Sequence, residues 1–138
     1  MNPEEIRELF SQKNTFARET GVVIEELEPG RAVASLALAP RHLNLFGTAN
    51  AGALFTLAET AFGAAANSWG QVAVAASFTI SYLKPASEGT LTARAEQVAD
   101  SGPLATYAIT LHDQSGATVA QAQGLAYRKK QSLADLVG

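Results

Sequence analysis

The chain has no cysteine, only two histidines and almost no charge along its middle third. Without cysteine it can form no disulfide bond, no thiolate nucleophile and no cysteine-ligated zinc site. The histidines, His42 and His112, lie 70 residues apart and lack the spacing of a metal-ligand pair. We therefore expect neither a metal nor another cofactor.

The chain also lacks long basic runs and long apolar runs, which argues against binding to nucleic acid and against a membrane-spanning segment. The formal net charge is -3 and the longest basic run is 128–130, so duplex nucleic acid is not an expected partner. The apolar stretch at 51–66 falls short of the roughly 20 residues that span a membrane. The N-terminus lacks the basic start and apolar run of a secretory signal, which favours a cytoplasmic location.

The apolar fraction of 47% in 138 residues suffices for one hydrophobic core and predicts a single domain over 1–138. Turn-forming residues and hydrophobic periodicity predict an order of elements. A short helix comes first, followed by two strands, a long apolar helix and four meandering strands, at 3–11, 22–27, 32–38, 50–67, 72–82, 90–99, 104–112 and 117–128. This order predicts an α+β fold in which an antiparallel sheet curls around one central helix.

Glu59 is the only formally charged side chain between Arg41 and Lys84. It lies inside the long apolar helix, where a carboxylate is costly unless it has hydrogen-bond partners or a catalytic task. Glu59 is therefore the first candidate for a functional residue. The alternative is a structural acid that is hydrogen-bonded within the core.

The central sequence resembles the hotdog-fold acyl-CoA thioesterases of the phenylacetate-degradation (PaaI-like) group, over about 20–128. The resemblance rests on His42-x-Asn44-x-x-Gly47, on Asn50-Ala51-Gly52 leading to Glu59, and on Phe78-x-Ile80-Ser-Tyr82 followed by Pro85. In that family the helix usually begins with His-Gly-Gly and carries Asp where Glu59 stands. The departure at the helix start resembles a less characterised branch of the superfamily.

Thioester hydrolysis needs a carboxylate that activates water or attacks the acyl carbon, and N–H donors for the oxyanion. Glu59 fits the first role, and the Ala51 and Gly52 amides at the helix N-terminus fit the second. Glu59 lies eight residues beyond Ala51, roughly 12 Å along one helix, so the two cannot act on the same carbonyl within one chain. The resemblance implies a homodimer whose sites are shared between subunits, and commonly a dimer of dimers.

Several residues have more than one interpretation. Asn44 either forms a turn or, by its motif position, orients water or the thioester carbonyl. Asn50 either caps the helix or contacts substrate, and His42 has no adjacent acid to support a role as general base. Ser77 and Tyr82 are candidate substrate-binding residues. The basic run Arg128-Lys129-Lys130 is either a solvated tail or a contact for coenzyme A phosphates.

The resemblance therefore implies an acyl-CoA thioesterase, with acyl-CoA as substrate. Two alternatives stay open: a non-hydrolytic acyl-CoA-binding or regulatory protein of the same fold, and an enoyl-CoA hydratase. The hydratase usually needs a paired acid and histidine, which this helix and its surroundings do not display.

Overall fold

The computed structural model describes residues 1–137, in which six antiparallel strands form one sheet around a long helix. The helices are α1 (Pro3–Lys13), α2 (Thr15–Thr20), α3 (Ala51–Asn67) and α4 (Leu133–Val137), and the strands are β1 (Val22–Glu28), β2 (Arg31–Ala37), β3 (Gln71–Tyr82), β4 (Thr90–Ser101), β5 (Leu104–His112) and β6 (Thr118–Ser132). A 3₁₀ turn at Pro40–His42 lies in the connection before α3. The sheet order is β1-β2-β4-β5-β6-β3, so that β1 and β3 are the two edge strands.

Helix α3 packs closely against the sheet because most of its residues are small. The closest approach is at Gly124 of β6, where an added Cβ would lie 2.5 Å from the Phe62 ring. Phe62 also contacts the rings of Phe78 and Tyr107, with centroids 5.3 and 5.7 Å away. The buried face of α3 therefore forms the centre of the hydrophobic core. This curled sheet around one helix is the hotdog fold that the sequence resemblance implies.

The predicted elements are confirmed, and the structure adds two short helices. Helix α2 was not expected; it ends at Gly21, whose φ of 103° is in the left-handed region. Helix α4 was not expected either, because the last strand was predicted to end at residue 128. Strand β6 instead continues to Ser132 and carries the basic run 128–130 within the sheet.

The period-two alternation of apolar residues predicts that one face of strand β3 carries Val72, Val74, Ala76, Phe78, Ile80 and Tyr82. Phe78 and Ile80 pack against the core as predicted. Val74 was expected on the same face, but its side chain is 43% exposed and its neighbour Ala73 is buried instead. The cause is a register shift between Ala75 and Ser77, which exchanges the faces of Ala73 and Val74. A second shift between Gln71 and Ala73 leaves Val72 packed against the core.

The two edges of the sheet differ in charge. Strand β3 has no charged side chain along its twelve residues. Strand β1 carries Glu25, Glu26 and Glu28 within seven residues. Charge on an edge strand discourages pairing with another chain, so that β3 is the edge better suited to association. Among the described residues, no helix is long and apolar enough to cross a membrane.

Candidate active site

Glu59 lies at the middle of α3, on the wall of a cleft of about 760 Å³. The cleft follows one face of the helix through Phe62, Gly63 and Ala66, and the start of β3 forms another wall. A Cβ added at Gly63 would lie 3.7 Å from Glu59 Oε1, so the missing side chain leaves open space beside the carboxylate. The carboxylate therefore has room for a small reactant at its side.

The Glu59 carboxylate has no ionic or hydrogen-bond partner among residues 1–137. Burial alone raises the pKa of Glu59 above its ordinary value of 4.5. A carboxyl whose pKa is raised by desolvation takes up and releases a proton more readily near neutral pH than an ordinary one. The interpretation of Glu59 as a core acid held by hydrogen bonds therefore finds no support in this structure.

The N-terminus of α3 is built by Asn50, whose side chain caps the helix as predicted. Asn50 Oδ1 accepts a hydrogen bond of 2.7 Å from the Gly52 N–H. A Cβ at Gly52 would lie 3.0 Å from this oxygen, so that glycine permits the short contact. The Gly52 donor is therefore engaged within the chain. The neighbouring Ala51 N–H has no acceptor among the described residues and lies at an exposed helix start.

The start of α3 and Glu59 line different clefts. Asn50, Gly52 and Thr56 line a second cleft together with Thr20 and Arg41, and Glu59 is not part of its wall. The two groups thus lie in separate clefts, as expected from the roughly 12 Å of helix between Ala51 and Glu59. One chain does not bring the acid and the N–H donor to one reaction centre.

Asn44 forms the turn that precedes this helix. Its Oδ1 accepts hydrogen bonds from the Phe46 and Thr48 N–H groups at 2.9 and 3.2 Å, and its Nδ2 donates to Thr48 Oγ1 at 3.0 Å. These bonds support the turn-forming interpretation. They leave one amide hydrogen of Asn44 as the group that a reactant can reach.

His42 is buried and both of its ring nitrogens are engaged. Nδ1 accepts a hydrogen bond of 2.9 Å from the Ala39 N–H, so Nε2 carries the proton and donates to the Thr20 carbonyl. His42 therefore ties the loop before α3 to the end of α2. It lines the second cleft beside the helix start, without Glu59, and forms no acid–histidine pair of the kind that a hydratase usually needs.

The two candidate substrate-binding residues of β3 lie on different faces of the sheet. The Tyr82 hydroxyl donates to the Ala51 carbonyl at 3.3 Å and so lies at the helix start. Ser77 lies in a polar depression of the sheet with Thr79 and Gln121, which includes no residue of α3. The structure thus brings Tyr82 close to the predicted oxyanion donors and leaves Ser77 apart from them.

Arg128 is part of the sheet rather than a solvated tail. Its guanidinium donates to Asp100 Oδ2 at 3.1 Å and to Gln97 Oε1 at 3.3 Å, and its side chain is only 15% exposed. Two of its nitrogens therefore already have acceptors, which weakens the expectation that it binds a coenzyme A phosphate. Lys129 and Lys130 remain exposed on β6.

Comparison with known proteins places this arrangement in a family. The model of the thioesterase superfamily matches residues 46–120, which include both the start of α3 and Glu59. The acyl-coenzyme A thioesterase PaaI of Escherichia coli is 35% identical over 118 residues, which cover 85% of this chain and 84% of that protein.

Solved structures agree with the sequence match. The structure of Escherichia coli PaaI superposes with a TM-score of 0.90 at 31% identity, covering 94% of this chain and 95% of that one. A hypothetical thioesterase protein from Streptococcus pneumoniae, solved with coenzyme A, superposes with a TM-score of 0.81 at 25% identity, and the match covers 88% of this chain and 98% of that one.

Proposed function

Since the chain belongs to the thioesterase superfamily, we propose that it hydrolyses acyl-coenzyme A thioesters to a free acid and coenzyme A. The observation that carries this proposal is Glu59, a desolvated carboxylate in the wall of a cleft, which has no partner in the part of the chain that the structure describes. The names of two matched proteins support the substrate: one is an acyl-coenzyme A thioesterase, and the other was solved with coenzyme A.

In the proposed reaction, Glu59 removes a proton from water while the water oxygen attacks the thioester carbonyl carbon. The carbonyl oxygen becomes an oxyanion, which an N–H donor stabilises. The carbon–sulfur bond then breaks, and the thiolate of coenzyme A receives the proton that Glu59 holds. Alternatively, Glu59 attacks the carbonyl carbon itself, and the carbon–sulfur bond breaks to release the coenzyme A thiolate, which takes a proton from water. Water then hydrolyses the resulting anhydride to the free acid and the Glu59 carboxylate. Neither route needs a metal or a redox cofactor.

The oxyanion donor comes from a second copy of the chain in this proposal. The Ala51 N–H is the free donor at the helix start, and it cannot meet the Glu59 of its own chain. Pairing of two β3 edges around a two-fold axis would place α3 of one subunit beside that of the other. The uncharged β3 edge, the exposed Val74 and the exposed Phe55 on α3 support this interface. Association of two such dimers is part of the same proposal.

A cytoplasmic location completes the proposal. A chain without cysteine gains no disulfide from an oxidising compartment, so a reducing one suits it equally well. Fractionation of cells that produce the protein at native levels tests this location.

Thiol release from a panel of acyl-CoAs tests the activity. The decisive pair is wild type and Glu59→Gln, which keeps the size of the side chain and removes its proton-accepting charge. Glu8→Gln is the matched control because Glu8 is exposed on α1 and is not a cleft residue. We expect Glu59→Gln to lower kcat by about 10²-fold or more, as loss of a general base does. Full activity of this variant would remove Glu59 from the reaction, and acyl-CoA binding without turnover in wild type would indicate a binding protein.

A further inference from the structure

The Glu59 cleft is much longer than the reacting carboxylate requires. It runs from Glu59 past Phe62 to Ala66, a distance of roughly 10 Å at the helical rise. Beyond Ala66 it reaches the start of β3, and its outer walls are α1 and α4. A thioester carbonyl beside Glu59 would therefore have an extended space next to it, into which the acyl group can point.

Most of the side chains that line this space are apolar, and the polar lining residues are Lys13, Asn14, Glu59 and Asn67. Asn67 lies there, but its amide is already saturated by the backbone. Its Nδ2 donates to the Gly63 and Ala73 carbonyls at 2.8 and 3.0 Å, and its Oδ1 accepts from the Ala73 N–H at 2.9 Å. Among the described lining residues, Lys13 and Glu59 are the only charged ones.

Both terminal helices are anchored so that they face the cleft. In α1, Ile6 is fully buried, and Leu9 and Phe10, one turn further on, pack against the core at the cleft wall. In α4, Leu133 is buried and its N–H donates to the Gly70 carbonyl at 2.9 Å. Leu136, one turn further on, lines the cleft but is 59% exposed.

We propose, building on the proposed thioesterase function, that α1 and α4 form the acyl subsite and set the length of the acyl group. The subsite takes an apolar, uncharged acyl group of medium length, which covers the exposed side chain of Leu136. Both helices lie outside residues 46–120, which match the family. The matched segment thus supplies the reacting carboxylate, and the two chain ends supply the specificity.

The test compares Leu136→Asp with Val98→Asp. Leu136 and Val98 are both exposed apolar residues, at 59% and 61%, but Val98 on β4 does not line the cleft. Thiol release is measured with acetyl-, hexanoyl-, octanoyl- and palmitoyl-CoA. A buried methylene contributes about 0.8 kcal/mol, a factor of about four in affinity. Burial of only two of the additional methylenes of octanoyl-CoA therefore gives a preference over acetyl-CoA of at least about tenfold, which we expect for wild type.

Leu136→Asp should reduce this preference by about tenfold, because a carboxylate at this position disfavours the long acyl group that reaches α4. Val98→Asp should leave the preference unchanged. Equal preferences in the two variants would overturn the proposal. So would undiminished turnover of palmitoyl-CoA relative to octanoyl-CoA, since the proposed subsite between α1 and α4 takes an acyl group of medium length only.

A binding measurement separates this proposal from the proposed function. Non-hydrolysable ethyl- and octyl-CoA thioethers are titrated calorimetrically against wild type and both variants. Tighter binding of the octyl compound that is lost in Leu136→Asp supports the acyl subsite even when no acyl-CoA is hydrolysed. Equal affinities of the two thioethers overturn the subsite, and the hydrolysis assay alone then decides the activity.

Discussion

At the residue scale, the proposed mechanism depends on a single backbone N–H at Ala51. Proline at this position removes the N–H, and it is well tolerated at the first residue of a helix. The preceding Asn50 has φ -60° and ψ 139°, a conformation that a residue before proline adopts readily. We therefore expect Ala51→Pro to lower kcat by about 10²- to 10³-fold while the melting temperature changes little.

Ala51→Gly is the matched control, because glycine alters the side chain and keeps the N–H. Steady-state kinetics and thermal unfolding of both variants check this prediction. Unchanged kcat in the proline variant would show that another group stabilises the oxyanion.

Glu59 also links stability to pH. Burial raises the pKa of Glu59 in the folded chain above the ordinary value of 4.5, so the folded state binds this proton more tightly than the unfolded state. The resulting stabilisation is present below pH 4.5 and is lost as the pH rises through the folded-state pKa. We expect the free energy of unfolding of wild type, relative to Glu59→Gln, to decrease across this window. Urea denaturation at a series of pH values measures the difference, and a difference that is constant with pH would contradict the prediction.

The candidate residues differed in how far their sequence context could predict them. Glu59 was predictable because a lone charge in an apolar helix is visible in the sequence, and the capping role of Asn50 followed from its place before the helix. The engagement of Gly52 by Asn50 Oδ1 required the geometry of the cap. The structural role of His42 depends on the Thr20 carbonyl, 22 residues earlier, which local sequence could not indicate.

At the scale of elements, Asn67 joins the end of α3 to the start of β3. Two of its three hydrogen bonds satisfy both backbone groups of Ala73 in a buried position, and the third goes to the Gly63 carbonyl. Removing the amide leaves these groups without partners, so we expect Asn67→Ala to reduce the free energy of unfolding by about 3 kcal/mol. Asn2→Ala, which removes an exposed helix cap, should cost only about 1 kcal/mol. Urea denaturation of both variants tests this, and equal losses would contradict it.

The longer elements were predictable from periodicity and turn residues, whereas the short ones were not. Helices α2 and α4 have six and five residues, too few to show a helical period. Strand β3 showed a clear period of two, but its register shift between Ala75 and Ser77 depends on pairing with β6. A bulge of this kind is a property of two strands, and it moved Val74 out of the core.

At the scale of the whole molecule, a single chain leaves three features incomplete. Within residues 1–137, no N–H donor for an oxyanion lies beside the carboxylate of Glu59, and the Ala51 N–H has no acceptor. The β3 edge lacks a partner strand and carries no charge, while the β1 edge carries three acidic residues. Association through β3 would satisfy all three with one two-fold axis, since a symmetric interface supplies each missing group twice.

Mixing two inactive variants tests this arrangement. Glu59→Gln subunits lack the reacting carboxylate, and Ala51→Pro subunits lack the oxyanion donor. If each site combines one group from each subunit, a mixed dimer has one intact site and one doubly defective site. Random exchange after partial denaturation and refolding should then restore about a quarter of the wild-type kcat. A mixture of Glu59→Gln with wild type, treated identically, controls for losses during refolding. Absence of recovery in the mixture of two defective variants, with mixed dimers confirmed by native mass spectrometry, would show that each site lies within one chain.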